Sequence, residues 1–497
     1  MQLNPLRKLL GQTAVYGLST ILARTANYLV LTPLYTYVFR NQEDFGINTE
    51  IYAYISFLNI ILTYGMETAF FNFYSKKEDK QSVYSTSLIS LLSSTAVFLF
   101  AGIAFSGQIS RWMGYSGQEN FIVWMILIIS SDALMVIPFA KLRSENKAAR
   151  FALIKTFNIA INILCNLFFI VICKKQFEQD PQSALGHLYN PGIGIGYGFL
   201  SNVIANIFTL FLLMNEFTRV NYRFDKLIWK QMIIYAVPLI VVGFAGMINE
   251  TFDRIILGKI LPEGIARKEV GIYGACYKLS IIMTIFIQAF RFAAEPFFFN
   301  TAREKDAKKT NALVTKYFVI FCSFIFLGTM LNISWLKYFI SEPYWAGLSI
   351  VPILLIANLF LGVYYNLSIW YKLTEQTKFG ALLTLIGASV TLIINFIFIP
   401  SYSYVASAWA TLLSYGIMMI ISYLLGKKYY PVKYNLRSMF FFFAVAMFLY
   451  LISLSYKSRF SADLAYLEIL FNNLLLLFFG WLVYKIEVSR ITKQNIS

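Results

Sequence analysis

Charge is scarce in this sequence, and histidine scarcer still. Asp, Glu, Lys and Arg make up 13% of the 497 residues, against about 25% in soluble domains. An ordinary soluble fold is thereby excluded. The single histidine, His187, rules out a histidine-based acyl-transfer apparatus. The four cysteines (Cys165, Cys173, Cys276 and Cys322) lie inside apolar runs and have neither zinc spacing nor the pattern of a disulfide framework. No Gly-Lys-Ser/Thr phosphate loop occurs, which argues against direct ATP use. The strict alternation of a membrane barrel is missing as well. The opening stretch MQLNPLRKLLGQTAVYG lacks the short core and small-residue cleavage site of a signal peptide. It reads as the start of a first membrane helix.

What is abundant is apolar: 58% of the residues are hydrophobic, in runs of about 20 broken by short polar stretches. In lipid the backbone must satisfy its own hydrogen bonds, so such runs are helices. The expected fold is an all-α polytopic membrane protein of about 14 transmembrane helices. The segments are 10–38, 46–72, 83–107, 119–140, 151–173, 191–215, 233–258, 271–298, 313–340, 345–371, 379–400, 404–426, 438–456 and 464–484. With the N-terminus in the cytoplasm, 27 of the 42 Lys and Arg fall in or beside cytoplasmic pieces. Ten fall in or beside outer loops, and five lie within helices. This bias favours cytoplasmic N- and C-termini, and it explains the net charge of +17 without nucleic acid. The connections are too short for a soluble domain.

The chain also repeats itself. Ile51, Tyr52, Leu58, Ile60, Ile61 and Thr63 are matched by Ile272, Tyr273, Leu279, Ile281, Ile282 and Thr284, all offset by 221. Gln12 and Tyr16 answer Gln231 and Tyr235 at an offset of 219. Six helices per unit is an even number, so both halves enter the membrane in the same direction. Two lobes in a parallel pseudo-twofold repeat follow. They are residues 1–225 (helices 1–6) and 226–430 (helices 7–12), with 431–497 adding helices 13 and 14 and a short tail.

Two stretches carry a resemblance. FRNQEDFGINTEIYAYISFLNIILTYGMETAFFNFYSKKED is similar to the first-loop and second-helix region of bacterial polysaccharide-biosynthesis exporters. NETFDRIILGKILPEGIARKEVGIYGACYKLSIIMTIFIQAFRFAAEPFFF is similar to its counterpart opening their second lobe. The family is the oligosaccharide-lipid flippase branch of the multidrug/oligosaccharidyl-lipid/polysaccharide exporter superfamily, with O-antigen and lipid II flippases among its relatives. The resemblance implies a 12 + 2 helix arrangement, a central V-shaped cavity and alternating access. It also implies transport of a polyprenyl-diphosphate-linked oligosaccharide across the bacterial cytoplasmic (inner) membrane, for surface polysaccharides such as lipopolysaccharide. Cavity arginines would engage the diphosphate, and the polyprenyl tail would lie along helices 13 and 14. Glycosyltransferases and a glycan polymerase are the implied partners. One chain holds both lobes, so a monomer suffices.

Charges inside the bundle are the candidate site. A cation at the centre of a membrane helix costs roughly 2.5–3.5 kcal/mol on insertion scales. Arg24 is the only charge between Lys8 and Arg40. With Thr13, Tyr16, Thr20 and Asn27 it forms a polar stripe on one helix face. Its guanidinium fork suits a diphosphate; the alternative is an arginine bonded to carbonyls or to an acid. Arg254, Lys278 and Arg291 are the second-lobe cations. Arg254 stands four residues from Glu250, a spacing that also fits a local ion pair. Arg291 stands four residues from Glu295, near the cytoplasmic end. Asn158, Asn162 and Asn166 form a stripe that serves equally as glue between helices, and Lys155 beside them is placed to snorkel. Glu67, Asp132, Glu250 and Asp253 are the candidate proton- or sodium-coupling groups. No resident cofactor or metal is expected.

Two other functions fit parts of the pattern. A multidrug or cation antiporter of the same superfamily would use the acids, although Arg24 favours an anionic cargo. A polyprenyl-dependent membrane glycosyltransferase could use Glu43 and Asp44, but the outer loops are too small to build an acceptor site. The chain is therefore read as a transporter and not an enzyme.

Overall fold

The structure is a computed structural model that describes residues 21, 25–301, 306–457 and 465–488. Every regular element among the described residues is helical. Helix α1 covers 25–38. The Asn41 side chain accepts from Glu43 N at 3.2 Å and opens α2 (Gln42–Thr63). Tyr64 and Gly65 then turn left-handed (φ 34° and 70°) and break the helix before α3 (Met66–Lys76); glycine takes that conformation without a Cβ clash. Asp79 caps α4 (Lys80–Ala104) by accepting from Ser82 N at 3.0 Å. Next come α5 (Ser106–Met113), α6 (Glu119–Ser144) and α7 (Ala148–Leu167), the last running on through a wider π-turn at Phe168–Cys173. Helix α8 is Gly196–Leu212. Asp225 accepts from Leu227 N and Ile228 N at 2.8 and 3.0 Å and starts α9 (Lys226–Glu250). The chain continues through α10 (Phe252–Ile260), α11 (Glu263–Leu279), α12 (Ile281–Thr301), α13 (Ala307–Leu331), α14 (Val351–Leu367), α15 (Lys378–Tyr429), α16 (Leu436–Lys457) and α17 (Ala465–Val483).

Among the described residues, ten helical spans are long and apolar enough to cross a membrane. There are eleven if the bent pair Glu263–Leu279 and Ile281–Phe292, at 51°, counts as one. The expected count of 14 differs for identifiable reasons. The first segment begins outside the described residues, and α8 has 17 residues. The expected segments 379–400 and 404–426 join in the single 52-residue element α15, broken only where Ser403 adopts φ 49°. Pro400 stands just before that break.

The chain divides into two compact units. One comprises Met1–Gly274 with Asn395–Tyr404, the other Ala275–Ile394 with Val405–Ser497. In the first unit Phe70, Tyr84, Leu88, Met232 and Ala236 pack α3, α4 and α9 into one buried cluster. Helix α2 meets α11, which bears the first three of the six matched residues of the second copy (Ile281, Ile282 and Thr284 lie on α12), in this unit as well. A Cβ on Gly46 of α2 would overlap the Arg267 carbonyl, and one on Gly271 of α11 would overlap the Gln42 carbonyl. Small residues let membrane helices approach this closely, so dispersion contacts accumulate where lipid offers no hydrophobic drive. In the second unit Ile320, Leu327, Leu331, Phe442, Ala446 and Phe479 bind α13, α16 and α17 together. A buried ion pair, Lys316 with Glu487, and the Ser438 hydroxyl, which donates to Glu487 at 3.2 Å, tie the same three segments.

Candidate functional site

The first unit holds amide hydrogen bonds across α1, α2, α6, α7 and α8. Asn206 donates through Nδ2 to the Asp132 carboxylate at 2.9 Å and to Ser131 Oγ at 2.8 Å. Asn158 donates to Asn206 Oδ1 at 3.1 Å and to Thr209 Oγ1 at 2.9 Å. One turn further along, Asn202 donates to the Tyr52 hydroxyl at 2.9 Å. The Tyr35 hydroxyl donates to Asn166 Oδ1 at 2.6 Å, and Asn166 donates to Asn162 Oδ1 at 3.1 Å. The asparagine stripe of α7 is thus occupied in joining helices. Lys155 lays its Nζ 4.2 Å from the centre of the Phe139 ring. Asp132 accepts from one uncharged amide, Asn206, and lies within electrostatic reach of Lys155, so its carboxylate keeps lone pairs for a proton or a small cation.

The other acids stand differently. Glu67 pairs with Arg143 at 2.9 Å, and both side chains are close to half exposed. Such pairs contribute about 0–1 kcal/mol and enclose no ion. Asp253 is buried and surrounded by donors: the Tyr273 hydroxyl at 2.5 Å, Arg254 N at 2.9 Å and Arg254 Nη1 at 3.4 Å. Arg254 Nη1 also donates to the Glu250 main-chain carbonyl at 2.7 Å, so the four-residue spacing is realised through the backbone. The Glu250 side chain is exposed.

Glu50, not among the sequence candidates, is a centre of its own. It is buried and accepts from the Tyr115 hydroxyl at 2.8 Å. Beside it Lys259 donates to the Trp112 carbonyl at 2.9 Å. Arg267 reaches the Gly114 carbonyl and lies 4.5 Å from the centre of the Tyr115 ring. A pocket of about 190 Å³ opens between Glu50, Arg111, Lys259, Glu263 and Arg267. Glu50 lies on a helix, whereas Tyr115, Lys259 and Arg267 lie at helix ends far away in sequence. No spacing rule links them.

Thr20 and Arg24 lie outside the described residues. Asn27 is half-buried on α1, and its Oδ1 meets no hydrogen-bond partner among the described residues. A buried acceptor of this kind calls for a donor from elsewhere, such as a cargo or a water.

In the second unit Lys278 is half-buried on α11. Arg291 of α12 is exposed, with its guanidinium 4.7 Å from the centre of the Tyr365 ring. The Glu295 side chain is outside the described set. Arg291 lines a cleft with Asn366, Ser368 and Lys372, and the space between them is about 20 Å³, room for roughly one water. Asn366 donates to the Gly362 carbonyl at 3.0 Å, while its buried Oδ1 has no partner among the described residues. Two cations and a polar floor suit an oxyanion bridged by water, since charge-assisted bonds to phosphate are the strong ones. Lys372 was not a sequence candidate.

The family model described as polysaccharide biosynthesis protein matches residues 9–302. No curated protein matches the chain. Among solved structures, the lipid II flippase MurJ in an inward closed conformation superposes with a TM-score of 0.72 at 16% identity, covering 95% of this chain and 98% of that one. An inward-facing multidrug resistance MATE family transporter of the MOP superfamily gives 0.58 at 14% identity, over 84% and 94%. The MATE multidrug transporter DinF-BH gives 0.60 at 16% identity, over 86% and 96%. At these identities the likeness is one of fold: a polytopic helical membrane protein of the kind that flippases and drug transporters share.

Proposed function

Because the chain belongs to the polysaccharide biosynthesis protein family, we propose that it is a flippase. Its cargo is a polyprenyl-diphosphate-linked oligosaccharide destined for cell-surface polysaccharide, including O-antigen-type lipopolysaccharide. The observation that carries the reading is the family match over residues 9–302; beside it, Arg291 and Lys372 line a cleft with room for about one water, which suits a bridge to a single phosphate oxygen. An anionic head group fits it better than a cationic drug does. From the sequence, Arg24 with Thr20 and Asn27 is the proposed hook on the first helix, and Lys278 adds positive charge, whereas Arg254 is paired with Asp253. The lobes are residues 1–225 and 226–430, and they rock about a site at mid-membrane. Residues 431–497 guide the lipid tail. The protein sits in the bacterial inner membrane with both termini in the cytoplasm. It works as a monomer beside glycosyltransferases and a polymerase.

Coupling falls to Asp132. It is half-buried among the helices of the first unit and accepts from the neutral Asn206 amide, whereas Glu67 pairs directly with Arg143 and Asp253 with Arg254. A cation or multidrug antiporter is the second reading, favoured by this same acid. The test is flipping of a labelled polyprenyl-diphosphate oligosaccharide in proteoliposomes, comparing the native chain with Arg24→Ala and Arg291→Ala at matched insertion. Flipping that collapses in either variant supports the reading. No flipping by the native chain, together with proton-driven efflux of a cationic dye, overturns it.

A further inference from the structure

The second unit contains an apolar slot of about 300 Å³ between α13, α14, the later arm of α15 and α16. Its floor is built by Leu359, Val363 and Leu367, all buried. Its rim is Ile420, Leu436 and Phe440, which are 53%, 48% and 73% exposed. The Thr315 hydroxyl is turned to the Asn311 carbonyl at 2.8 Å and is not offered to the slot. A volume of this size is that of a small-ligand pocket. Its opening is rimmed by exposed apolar side chains of helices long and apolar enough to cross a membrane, so an apolar chain suits it.

One end of the slot carries the charge. Tyr423 and Tyr434 close it with ring centres 6.2 Å apart, and both line it. Lys427 and Lys428 in the last turn of α15, Lys433 in the connection and Arg437 in the first turn of α16 are all exposed. Lys308 lies 4.7 Å from the centre of the Tyr430 ring in the same connection. From Gln376 to Ala462 the sequence has no Asp or Glu, so nothing along that stretch neutralises them. The nearby Lys316 is paired with Glu487. Clusters of four or more basic residues at a membrane helix end attract anionic head groups. These four are spread along an exposed stretch and do not converge in an enclosed pocket, which suits a head group in the plane of the bilayer surface.

We propose that the slot seats one acyl chain of a bound anionic phospholipid, with its phosphate at the mouth bearing Lys427, Lys428, Lys433 and Arg437. This rests on the chain being a membrane protein and not on the identity of its cargo. A lipid held there would tie α15 to α16, and with them the last two helices to the rest of the unit.

Native mass spectrometry of the purified chain tests it, with phosphatidylglycerol, phosphatidylethanolamine of the same chains, glycerol 3-phosphate and a polyprenyl phosphate. The chain should retain phosphatidylglycerol about five-fold better than phosphatidylethanolamine, and glycerol 3-phosphate should not be retained. The double variant Lys433→Gln/Arg437→Gln, exposed and harmless to packing, should lose the preference. Val363→Trp, which fills the floor, should lose retention of both lipids. Equal retention of the two phospholipids by the native chain would overturn the proposal, as would an unchanged preference in the double variant. So would polyprenyl phosphate displacing phosphatidylglycerol in a manner abolished by Val363→Trp, which would give the slot to the carrier tail. No arm reads flipping, so failure of the cargo reading leaves the result intact.

Discussion

The Tyr115 hydroxyl donates to the Glu50 carboxylate across 2.8 Å, joining residues 65 apart in sequence, both buried. Burial and the neighbouring carboxylate push the Tyr115 hydroxyl well above the ordinary phenol range. It therefore stays a donor at every physiological pH. Tyr115→Phe would leave a buried carboxylate short of a donor, at a cost of about 1–3 kcal/mol. Thermal unfolding in detergent should shift down for Tyr115→Phe. It should shift less for Tyr115→Phe/Glu50→Leu, where both partners become apolar.

The crossing of α2 and α11 depends on two glycines. Gly271→Ala sets a methyl against the Gln42 carbonyl and must part the helices. Thr49 packs on Gly274 at the same crossing. A cysteine at Thr49 should therefore react with a membrane-impermeant maleimide several-fold faster when Gly271→Ala is present. An unchanged rate would mean that the crossing absorbs the methyl.

Asp132→Asn keeps an acceptor for Asn206 and removes the titratable group. The expected result is normal insertion and thermal stability, with translocation that no longer responds to an imposed proton or sodium gradient. Asp132→Leu should also lower stability, because it leaves the Asn206 amide without one of its acceptors. Full gradient response in Asp132→Asn would remove the acid from coupling.

The buried pair Lys316 with Glu487 fastens the last described helical turn to α13. Removing one partner, as in Lys316→Met, should cost about 3–5 kcal/mol by stranding the other charge. Lys316→Met/Glu487→Leu should recover most of that. Denaturant unfolding of the three variants makes the comparison.

Outside the membrane, Asp79 gives a pH dependence of definite sign. The Ser82 hydroxyl at 2.5 Å and the Ser82 amide at 3.0 Å hold its carboxyl below the usual aspartate value of 3.8. The cap therefore stabilises the folded state above pH 3.8, and the contribution fades as pH falls through the lower folded value. Thermal unfolding of Asp79→Asn, which keeps a side-chain acceptor without the charge, should lack this acid-limb decline.

Sequence and structure divide the information along physical lines. Apolar runs and helix existence are local properties, because a residue needs only its neighbours to satisfy its backbone in lipid. The helical membrane fold could thus be read directly, whereas the break at Tyr64–Gly65 falls inside the expected segment 46–72 and came only from the structure. The repeat at offset 221 matched α2 to a segment that the structure breaks into α11 and α12, and the structure adds that α2 and α11 touch through Gly46 and Gly271. Roles of individual charges were another matter. Glu67, Asp132 and Asp253 look alike as intramembrane acids, yet one faces an exposed arginine, one faces an amide, and one faces a tyrosine and its sequence neighbour. The difference comes from donors up to 76 residues away, and no periodicity carries that. Lys372 and Tyr115 went unnoticed because each sits at a helix end, where cations and aromatics are ordinary. By itself the sequence determined that the chain is a bundle of membrane helices with charges inside. Only tertiary packing decided which charges are mutually satisfied and which keep capacity for a ligand, because that depends on what each side chain meets across the helix interface.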